Sequence, residues 1–361
     1  MALKDIQATH VALPLQMPIR SAIHRIDTIH ILLTEVRDDA GREGFGAAIA
    51  FRPEFVEAMK AFVRDVAPLV RGFPPDEIGA VRQAMLQRIN YMGLSGAAIQ
   101  AIATVDMALW VLLAHRASLP LYKLLGAATN RLKAYHGHGL WLGNSTAELA
   151  AEARRYVDEG YKAIKLRVGL NDLAADLARV ESVRRAIGDG TVLMVDANQG
   201  QDPLYARQLG NALEAYNIFW YEEPVAYTDV ENHARLAAEL RVPIATGQSE
   251  YLERGMLGYL QAHACQILMP DVCRMGGITG WKNAAALAEA FHTPVSNHMY
   301  VEFGAHLQAS IPNRTYSDTI DWLSPLFQTR IRFEDGLIHL PEEPGIGLQL
   351  DRKVIEKHRV R

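Results

Sequence analysis

The pattern of apolar and polar positions divides the chain into two parts. Up to about residue 125, β-branched and alternating apolar residues predict strands at 6–15 and 28–35, and turn-forming residues follow at 38–41. Apolar residues near helical spacing then predict helices over 53–70, 75–89 and 95–114. This first part is therefore expected to be a mixed α+β unit.

From about residue 134 the rhythm changes, and short apolar strands alternate with longer amphipathic stretches. Strands are predicted at 134–140, 163–168, 192–196, 218–222, 242–246, 267–271 and 295–298. Helices are predicted between them at 147–159, 173–187, 203–216, 231–240 and 279–291. Such alternation implies a parallel sheet with right-handed crossovers. Seven strands spread over about 165 residues favour a closed barrel over an open sheet.

Composition and charge narrow the class of protein. The chain has 361 residues, of which 49% are hydrophobic and 22% charged, so a full core is expected and disorder is not. A net charge of −4 argues against a dedicated nucleic-acid binder. The two cysteines, Cys265 and Cys273, cannot form a disulfide framework, and their spacing is not that of a zinc site. No uninterrupted apolar run reaches about 18 residues and no secretory signal is visible, so we expect a cytoplasmic protein without membrane association.

Polar residues follow the ends of successive predicted strands, and three of them recur at equal intervals. Asp196, Glu222 and Gln248 each end one strand, so each should occupy an equivalent place at the carboxyl face of a barrel. Three converging oxygen ligands suit a hard divalent cation, hence Mg²⁺. A single acid at a strand end more often caps the following helix. Two acids and an amide in register, followed by Asp271 and His298, favour the metal site.

The second barrel strand carries two cations. Lys165 and Arg167 are two residues apart and therefore share one face of the strand. Cations inside a barrel need anionic partners, which metal-ligating acids and a bound carboxylate would supply. The alternative is that both lie at a solvated strand edge.

Several motifs occur together in an order and spacing that resemble the enolase superfamily, and within it the mandelate racemase subgroup. The likeness covers essentially the whole chain and rests on segments 97–126, 196–199, 222–224, 269–271, 276–281 and 296–298. The resemblance implies an α/β fold with a (β/α)₇β TIM-like barrel over 126–330. It also implies an α+β capping domain at 1–125 and a C-terminal segment, 331–361, that returns to the cap.

The resemblance also implies a reaction, the Mg²⁺-dependent abstraction of the proton α to a substrate carboxylate through an enediolate. Sites of this superfamily use a lysine or histidine base beside Mg²⁺. Asp196 and Glu222 match the first two metal ligands of the family. Asp271 and His298 match a dyad in which the acid orients the imidazole, so that His298 acts as general base or acid.

Further residues are assigned to substrate by the same resemblance. Asn198 matches a position that contacts substrate, and Asp318 falls near the family's strand-eight acid, with Asp321 as a rival. Lys165 and Arg167 fall on the family's Lys-x-Lys pair. In the family, the loop corresponding to 18–25 closes over the distal end of the substrate. Candidates in that loop for binding substrate hydroxyls or a second carboxylate are Arg20, Ser21, His24 and Arg25; the alternative is an exposed basic loop.

Two positions depart from the family pattern. Gln248 stands where the family has a glutamate; its amide oxygen can ligate Mg²⁺ but brings no charge, and Glu250 is an alternative ligand. Arg167 stands where the family has a lysine. Because arginine stays protonated, it is a poor base but a good clamp for a carboxylate, which argues against a two-base racemase.

These departures favour a Mg²⁺-dependent acid-sugar dehydratase that yields a 2-keto-3-deoxy acid, with His298 as the chief catalyst. One alternative is a racemase or epimerase of a 2-hydroxy acid that uses Lys165 as second base, and another is a cycloisomerase. A non-catalytic binding protein on the same fold is the alternative from a different class. The expected partners are a small carboxylate substrate and, from the resemblance, further copies of the chain.

Overall fold

A computed structural model of the chain describes residues 3–20 and 25–361. Two residues predicted to contact substrate, Ser21 and His24, lie outside the described residues. For Arg20 only the backbone is described.

The N-terminal part folds as a three-stranded antiparallel sheet covered by helices. Its elements are β1 (Leu3–Arg20), β2 (Arg25–Asp38), β3 (Glu43–Ala50), α1 (Pro53–Val70), α2 (Ile78–Ile89) and α3 (Gly96–Ala117). The turn-forming residues predicted after Glu35 do join β2 to β3, which pair from His30–Ala50 to Arg37–Glu43. The α+β prediction for this part is therefore confirmed.

Helix α3 packs closely on β3 because β3 presents glycines to it. A Cβ atom on Gly44 would lie 2.1 Å from the carbonyl oxygen of Ala108, and one on Gly46 would lie 2.2 Å from that of Thr104. Of the described helices, α3 is the one whose length and composition would allow it to cross a membrane, but 78% of its most apolar stretch is buried. It is thus the core helix of this unit.

The rest of the chain alternates strands and helices after the short α4 (Leu121–Leu124). The strands are β4 (Arg131–Tyr135), β5 (Ala163–Arg167), β6 (Val192–Asp196), β7 (Ile218–Glu222), β8 (Ile244–Thr246), β9 (Ile267–Leu268) and β10 (Ser317–Asp318). The helices are α5 (Thr146–Asp158), α6 (Leu173–Ile187), α7 (Pro203–Leu213), α8 (Val230–Glu239), α9 (Leu252–Gln261), α10 (Ile278–Ala290) and α11 (Val301–Ala309). The tail adds β11 (Arg332–Glu334), β12 (Leu337–His339) and α12 (Arg352–Lys357).

These strands close into a parallel barrel. Strands β5 to β9 lie side by side in chain order, and a bridge between His136 and Ile164 joins β4 to β5. Bridges from Leu268 to Val295 and from Val295 to Arg314 carry the sheet through a seventh strand position to the eighth. Because β10 pairs in parallel with β4, the ring is complete and the (β/α)₇β prediction is confirmed.

The inside of the barrel is packed rather than hollow. Its inward-facing apolar residues form one cluster, made of Tyr135, Ala163, Met194, Trp220, Ala245, Ile267 and Met269. This layer closes the barrel below the carboxyl ends of the strands. Polar side chains beyond it are therefore confined to the carboxyl face.

The tail runs from the barrel to the N-terminal sheet. Strands β11 and β12 form an antiparallel hairpin, and β12 pairs antiparallel with β4, so β4 joins the barrel to this hairpin. Further on, Arg359 bridges Val11 of β1, and Arg352 forms ion pairs with Glu35 and Glu43. The tail thereby covers the free edge of β1, which would otherwise expose unpaired backbone groups.

Candidate active site

A cavity lies where the carboxyl ends of the barrel strands meet the cap, and it encloses about 740 Å³ of empty space including its opening. The cap contributes Ile19 and Phe51 to its walls. Six predicted site residues also line it: Lys165, Arg167, Asp196, Asn198, Gln248 and His298. The barrel therefore brings together, in one cavity, side chains that are far apart in the chain.

The two cations of β5 are buried and find acidic partners. The Nζ atom of Lys165 lies 2.7 and 2.9 Å from the carboxylate oxygens of Glu222 and 3.4 Å from Oδ2 of Asp196. Arg167 approaches the same Asp196 oxygen at 3.4 Å, donates to the carbonyl of Gly137 at 3.0 Å and lies 4.8 Å from the Trp141 ring centre. A solvated strand edge is thus the wrong interpretation for both residues.

The pKa values of Asp196 and Glu222 are shifted in opposite directions. Burial alone would disfavour the ionised form of Asp196, but Arg167 and Lys165 hold its pKa below the usual range. Burial and the neighbouring charge of Asp196 raise the pKa of Glu222, against the opposing effect of Lys165. A divalent cation bound by both groups would favour the ionised form of each.

The third predicted oxygen ligand is buried and unsatisfied. Gln248 donates through Nε2 to Oε2 of Glu223 at 3.3 Å. Oε1 of Gln248 and Oε1 of Glu223 are both buried, and neither has a hydrogen-bond partner among the described residues. Glu250 instead accepts from the backbone of Tyr251 at 2.7 Å and packs against Gly255, outside the cavity.

This donor set fits a hard divalent cation such as Mg²⁺, because buried oxygens without partners are costly unless something binds them. Across residues 3–20 and 25–361 there is no group of three or more His, Cys, Asp or Glu side chains arranged to hold a metal. The predicted ligand set consists of two carboxylates and one amide.

His298 and Asp271 form the predicted dyad. Nδ1 of His298 lies 2.8 Å from Oδ2 of Asp271, and the two residues form a bridge between adjacent strands. The other oxygen of Asp271 accepts from the backbone N–H groups of Cys273 and Arg274 at 2.8 and 2.9 Å. A proton held on Nδ1 by Asp271 leaves Nε2 free to accept one, and His298 borders the cavity.

The two predicted substrate contacts on the barrel are placed differently. Asn198 lines the cavity and donates to Asp196 through both its backbone N–H (2.7 Å) and its side chain (3.1 Å). Asp318 is fully buried behind the cavity wall, where it accepts from the backbone of Met299 and Ile320. Its rival Asp321 pairs with Arg330 and is 43% exposed.

Several cavity residues were missed by sequence reasoning. Trp141 and Trp322 supply aromatic walls, and Glu223 supplies a buried carboxylate. Arg274 borders both this cavity and a second chamber between cap and barrel, which Arg52 and other residues line. The position of Arg274 just after Asp271 was the one available signal, because it places the side chain on a carboxyl-face loop.

Comparison with known proteins gives family matches along most of the chain. Residues 3–126 match the N-terminal domain of mandelate racemase / muconate lactonizing enzyme, and residues 148–354 match the enolase C-terminal domain-like family. The L-talarate/galactarate dehydratase of Salmonella typhimurium is 33% identical over 90% of this chain and 81% of its own length. A 3,6-anhydro-alpha-L-galactonate cycloisomerase from Streptomyces coelicolor is 31% identical over 89% of each chain.

Solved structures agree with these matches. The L-talarate dehydratase of Polaromonas sp. JS666, in complex with Mg and L-glucarate, superposes with a TM-score of 0.95 at 34% identity, covering 100% of this chain and 98% of that one. A racemase from Streptomyces coelicolor A3(2) with bound magnesium gives a TM-score of 0.94 at 29% identity, covering 99% of this chain and all of that one. The chain is therefore an enzyme of the enolase superfamily and belongs to its mandelate racemase/muconate lactonizing enzyme family.

Proposed function

We propose that this enzyme catalyses the Mg²⁺-dependent dehydration of a sugar acid to a 2-keto-3-deoxy acid. The observation that carries the proposal is the His298–Asp271 dyad, which borders the same cavity as the buried acids and cations. Relatives named as dehydratases, among them arabinonate and D-gluconate dehydratases at 27% and 28% identity, support it.

Asp196, Glu222 and Gln248 would hold the metal. When bound, the metal supplies positive charge that stabilises the negative charge developing on the substrate carboxylate. The guanidinium fork of Arg167 clamps that carboxylate. Asn198 holds Asp196 in place through its two hydrogen bonds.

His298 handles the protons in this proposal. Its Nε2 takes the α-proton, and the electrons of that C–H bond form the new double bond. The imidazolium, stabilised by Asp271, then gives a proton to the β-hydroxyl group, whose C–O bond breaks to release water. The resulting enol becomes the 2-keto-3-deoxy acid by taking a proton at C3 and losing the proton of its C2 hydroxyl group.

Among the described residues, the two cations of β5 do not supply a second free base to the cavity. The Lys165 ammonium is held by two oxygens of Glu222 and one of Asp196, and a guanidinium such as that of Arg167 does not deprotonate in proteins. Racemisation needs a base on each face of the α-carbon, so this geometry disfavours it.

The second chamber suits the distal end of a polyhydroxylated acid. Arg274 forms no ion pair with any carboxylate in the described part of the chain, and it faces both spaces. An anionic or hydroxylated group there would accept charge-assisted hydrogen bonds from the Arg274 guanidinium. Because a structural relative binds L-glucarate, hydroxylated diacids are the first compounds to test.

The test is a screen of mono- and diacid sugars with added Mg²⁺, with the keto product detected by its reaction with semicarbazide. Turnover should disappear when a chelator removes the metal and return when Mg²⁺ is restored. Deuterium uptake at the α-carbon in D₂O without loss of water would instead indicate a racemase or epimerase. Lactone formation or ring opening without a keto product would indicate a cycloisomerase.

A further inference from the structure

The third ligand position of this site has an arrangement of its own. Gln248 is 5% exposed. Its amide nitrogen donates a hydrogen bond to Glu223, whereas its amide oxygen has no hydrogen-bond partner among the described residues. An amide can bind a cation only through its oxygen, so whatever holds the nitrogen decides whether residue 248 is a ligand.

Glu223 is itself held in place by a hydrogen-bond network. Its Oε2 accepts from Nε2 of Gln199 at 3.0 Å as well as from Gln248. The same Gln199 nitrogen donates to Ser249 at 2.8 Å, and its oxygen accepts from the backbone of Tyr227 at 3.0 Å. Since an ionised carboxylate can only accept, Glu223 forces the amide nitrogen of Gln248 toward itself and the oxygen away.

The charges around this position are nearly balanced. Three buried carboxylates (Asp196, Glu222 and Glu223) face two buried cations (Lys165 and Arg167), so the formal excess is a single negative charge. A carboxylate at position 248 would add one more. A divalent cation is therefore attracted weakly until an anionic ligand enters the site.

We propose that Glu223 orients the Gln248 amide so that its oxygen is the third metal ligand, and that the divalent cation binds tightly only together with a carboxylate ligand. In this arrangement the substrate carboxylate supplies the charge that residue 248 lacks. By linkage, the metal strengthens carboxylate binding by the same factor. The inference rests on the metal site of the proposed function but not on the reaction.

Calorimetric titration with Mg²⁺, with and without tartronate, tests the coupling. Tartronate is a small dicarboxylate with no β-carbon hydroxyl to expel, so no turnover interferes. Tartronate should tighten Mg²⁺ binding by the wild-type enzyme about tenfold or more. Gln248→Glu should bind Mg²⁺ about tenfold more tightly than the wild type without tartronate, and tartronate should add less. Gln261→Glu, at an exposed position of α9, adds the same charge elsewhere and should leave both values unchanged.

A double-mutant cycle tests the role of Glu223. Glu223→Ala should weaken Mg²⁺ binding about tenfold when residue 248 is glutamine but have a smaller effect when it is glutamate, whose two oxygens need no orientation. If Gln248→Glu does not fold, Gln248→Leu keeps the volume, removes the oxygen and should weaken binding in the presence of tartronate.

Equal Mg²⁺ affinity in wild type, Gln248→Glu and Gln248→Leu would overturn the inference, as would equal coupling in wild type and Gln248→Glu. Both outcomes are independent of the sugar-acid screen. If the enzyme dehydrates a sugar acid but tartronate does not tighten Mg²⁺ binding, this inference is wrong and the proposed reaction stands. If tartronate tightens Mg²⁺ binding but no sugar acid is dehydrated, the proposed reaction is wrong and this inference stands.

Discussion

At the scale of single residues, the position of His298 depends on bonds made by its partner. Asp271 is fixed by two backbone N–H groups on one oxygen, so its other oxygen is held for the imidazole. His298→Asn should therefore lower kcat for dehydration by a factor of about 10² to 10⁴, because it removes proton transfer, and leave Mg²⁺ binding intact. His292→Asn, at an exposed position of the same barrel, is the control. The measurement is keto-product formation at saturating sugar acid, and unchanged turnover in His298→Asn would contradict the assignment of His298 as the general base.

The residues at strand ends could be located from the sequence because a barrel repeats one unit. Equal spacing placed Asp196, Glu222 and Gln248 at one face, where the structure also has them. Their pairing could not be predicted: Lys165 bonds mainly with Glu222, and Gln248 turns to Glu223. Such choices depend on side-chain rotamers and on local burial, which periodicity does not encode.

At the scale of elements, helices α3 and α10 are joined by a buried carboxyl group. Asp106, in the middle of α3, accepts from the backbone N–H and the hydroxyl of Thr279 at 3.1 and 2.6 Å and so satisfies the start of α10. Burial raises the pKa of Asp106 to about 6, against the opposing effect of the Thr279 bonds. The contact between the cap helix α3 and the barrel helix α10 therefore includes a carboxyl group, that of Asp106, whose protonation changes in mildly acidic solution.

This contact gives stability a definite pH dependence. Because the folded state holds the Asp106 proton more tightly than the unfolded state, its contribution to stability falls as pH rises from about 4 to 6 and then levels off. The unfolding free energy of the wild type should fall by up to about 3 kcal/mol across that window, measured relative to that of Asp106→Asn at the same pH. Unfolding free energies of both proteins at several pH values measure the difference. A wild type that becomes more stable relative to Asp106→Asn as the pH rises would contradict the prediction.

The same junction tolerates no side chain at Gly277. This residue has φ +106°, and a Cβ atom there would lie 2.3 Å from Oδ1 of Asp106. Gly277→Ala should cost about 3 kcal/mol or more of unfolding free energy, through backbone strain and displacement of the carboxyl group. Gly258→Ala in α9, where nothing lies within 4 Å, should be neutral or stabilise by up to about 1 kcal/mol. Urea denaturation of the two variants checks this contrast, and equal midpoints would show that the junction adapts.

At the scale of the whole molecule, the rhythm of the chain predicted seven barrel strands but not the closing one. Strand β10 has only two residues, too few for a periodic pattern. Helix α11 was also missed, because all nine of its residues are buried, the polar Glu302, His306 and Gln308 included, so its polar positions do not mark a solvent-exposed face. The barrel is closed by pairing between distant segments, which a local pattern cannot show.

The C-terminal tail ties the barrel to the cap that completes the cavity. Two backbone hydrogen bonds flank the Val11–Arg359 bridge between β1 and the tail. The N–H of Ala12 donates to the carbonyl of His358, and the N–H of Val360 donates to the carbonyl of His10, both at 2.9 Å. Ile355 is the buried side chain of α12 and anchors this return. Since cap residues Ile19 and Phe51 line the cavity, loosening the tail is expected to affect substrate binding.

Ile355→Asp tests that connection, because a carboxylate cannot be buried without a partner. We expect a loss of about 3 kcal/mol of unfolding free energy and faster trypsin cleavage in the tail. KM for the sugar acid should rise more than kcat falls, since the dyad belongs to the barrel and only the cap is loosened. Lys353→Asp introduces the same side chain at an exposed position of α12 and should change none of these values. If Ile355→Asp is destabilised but keeps its KM, the tail stabilises the cap without influencing how it covers the cavity.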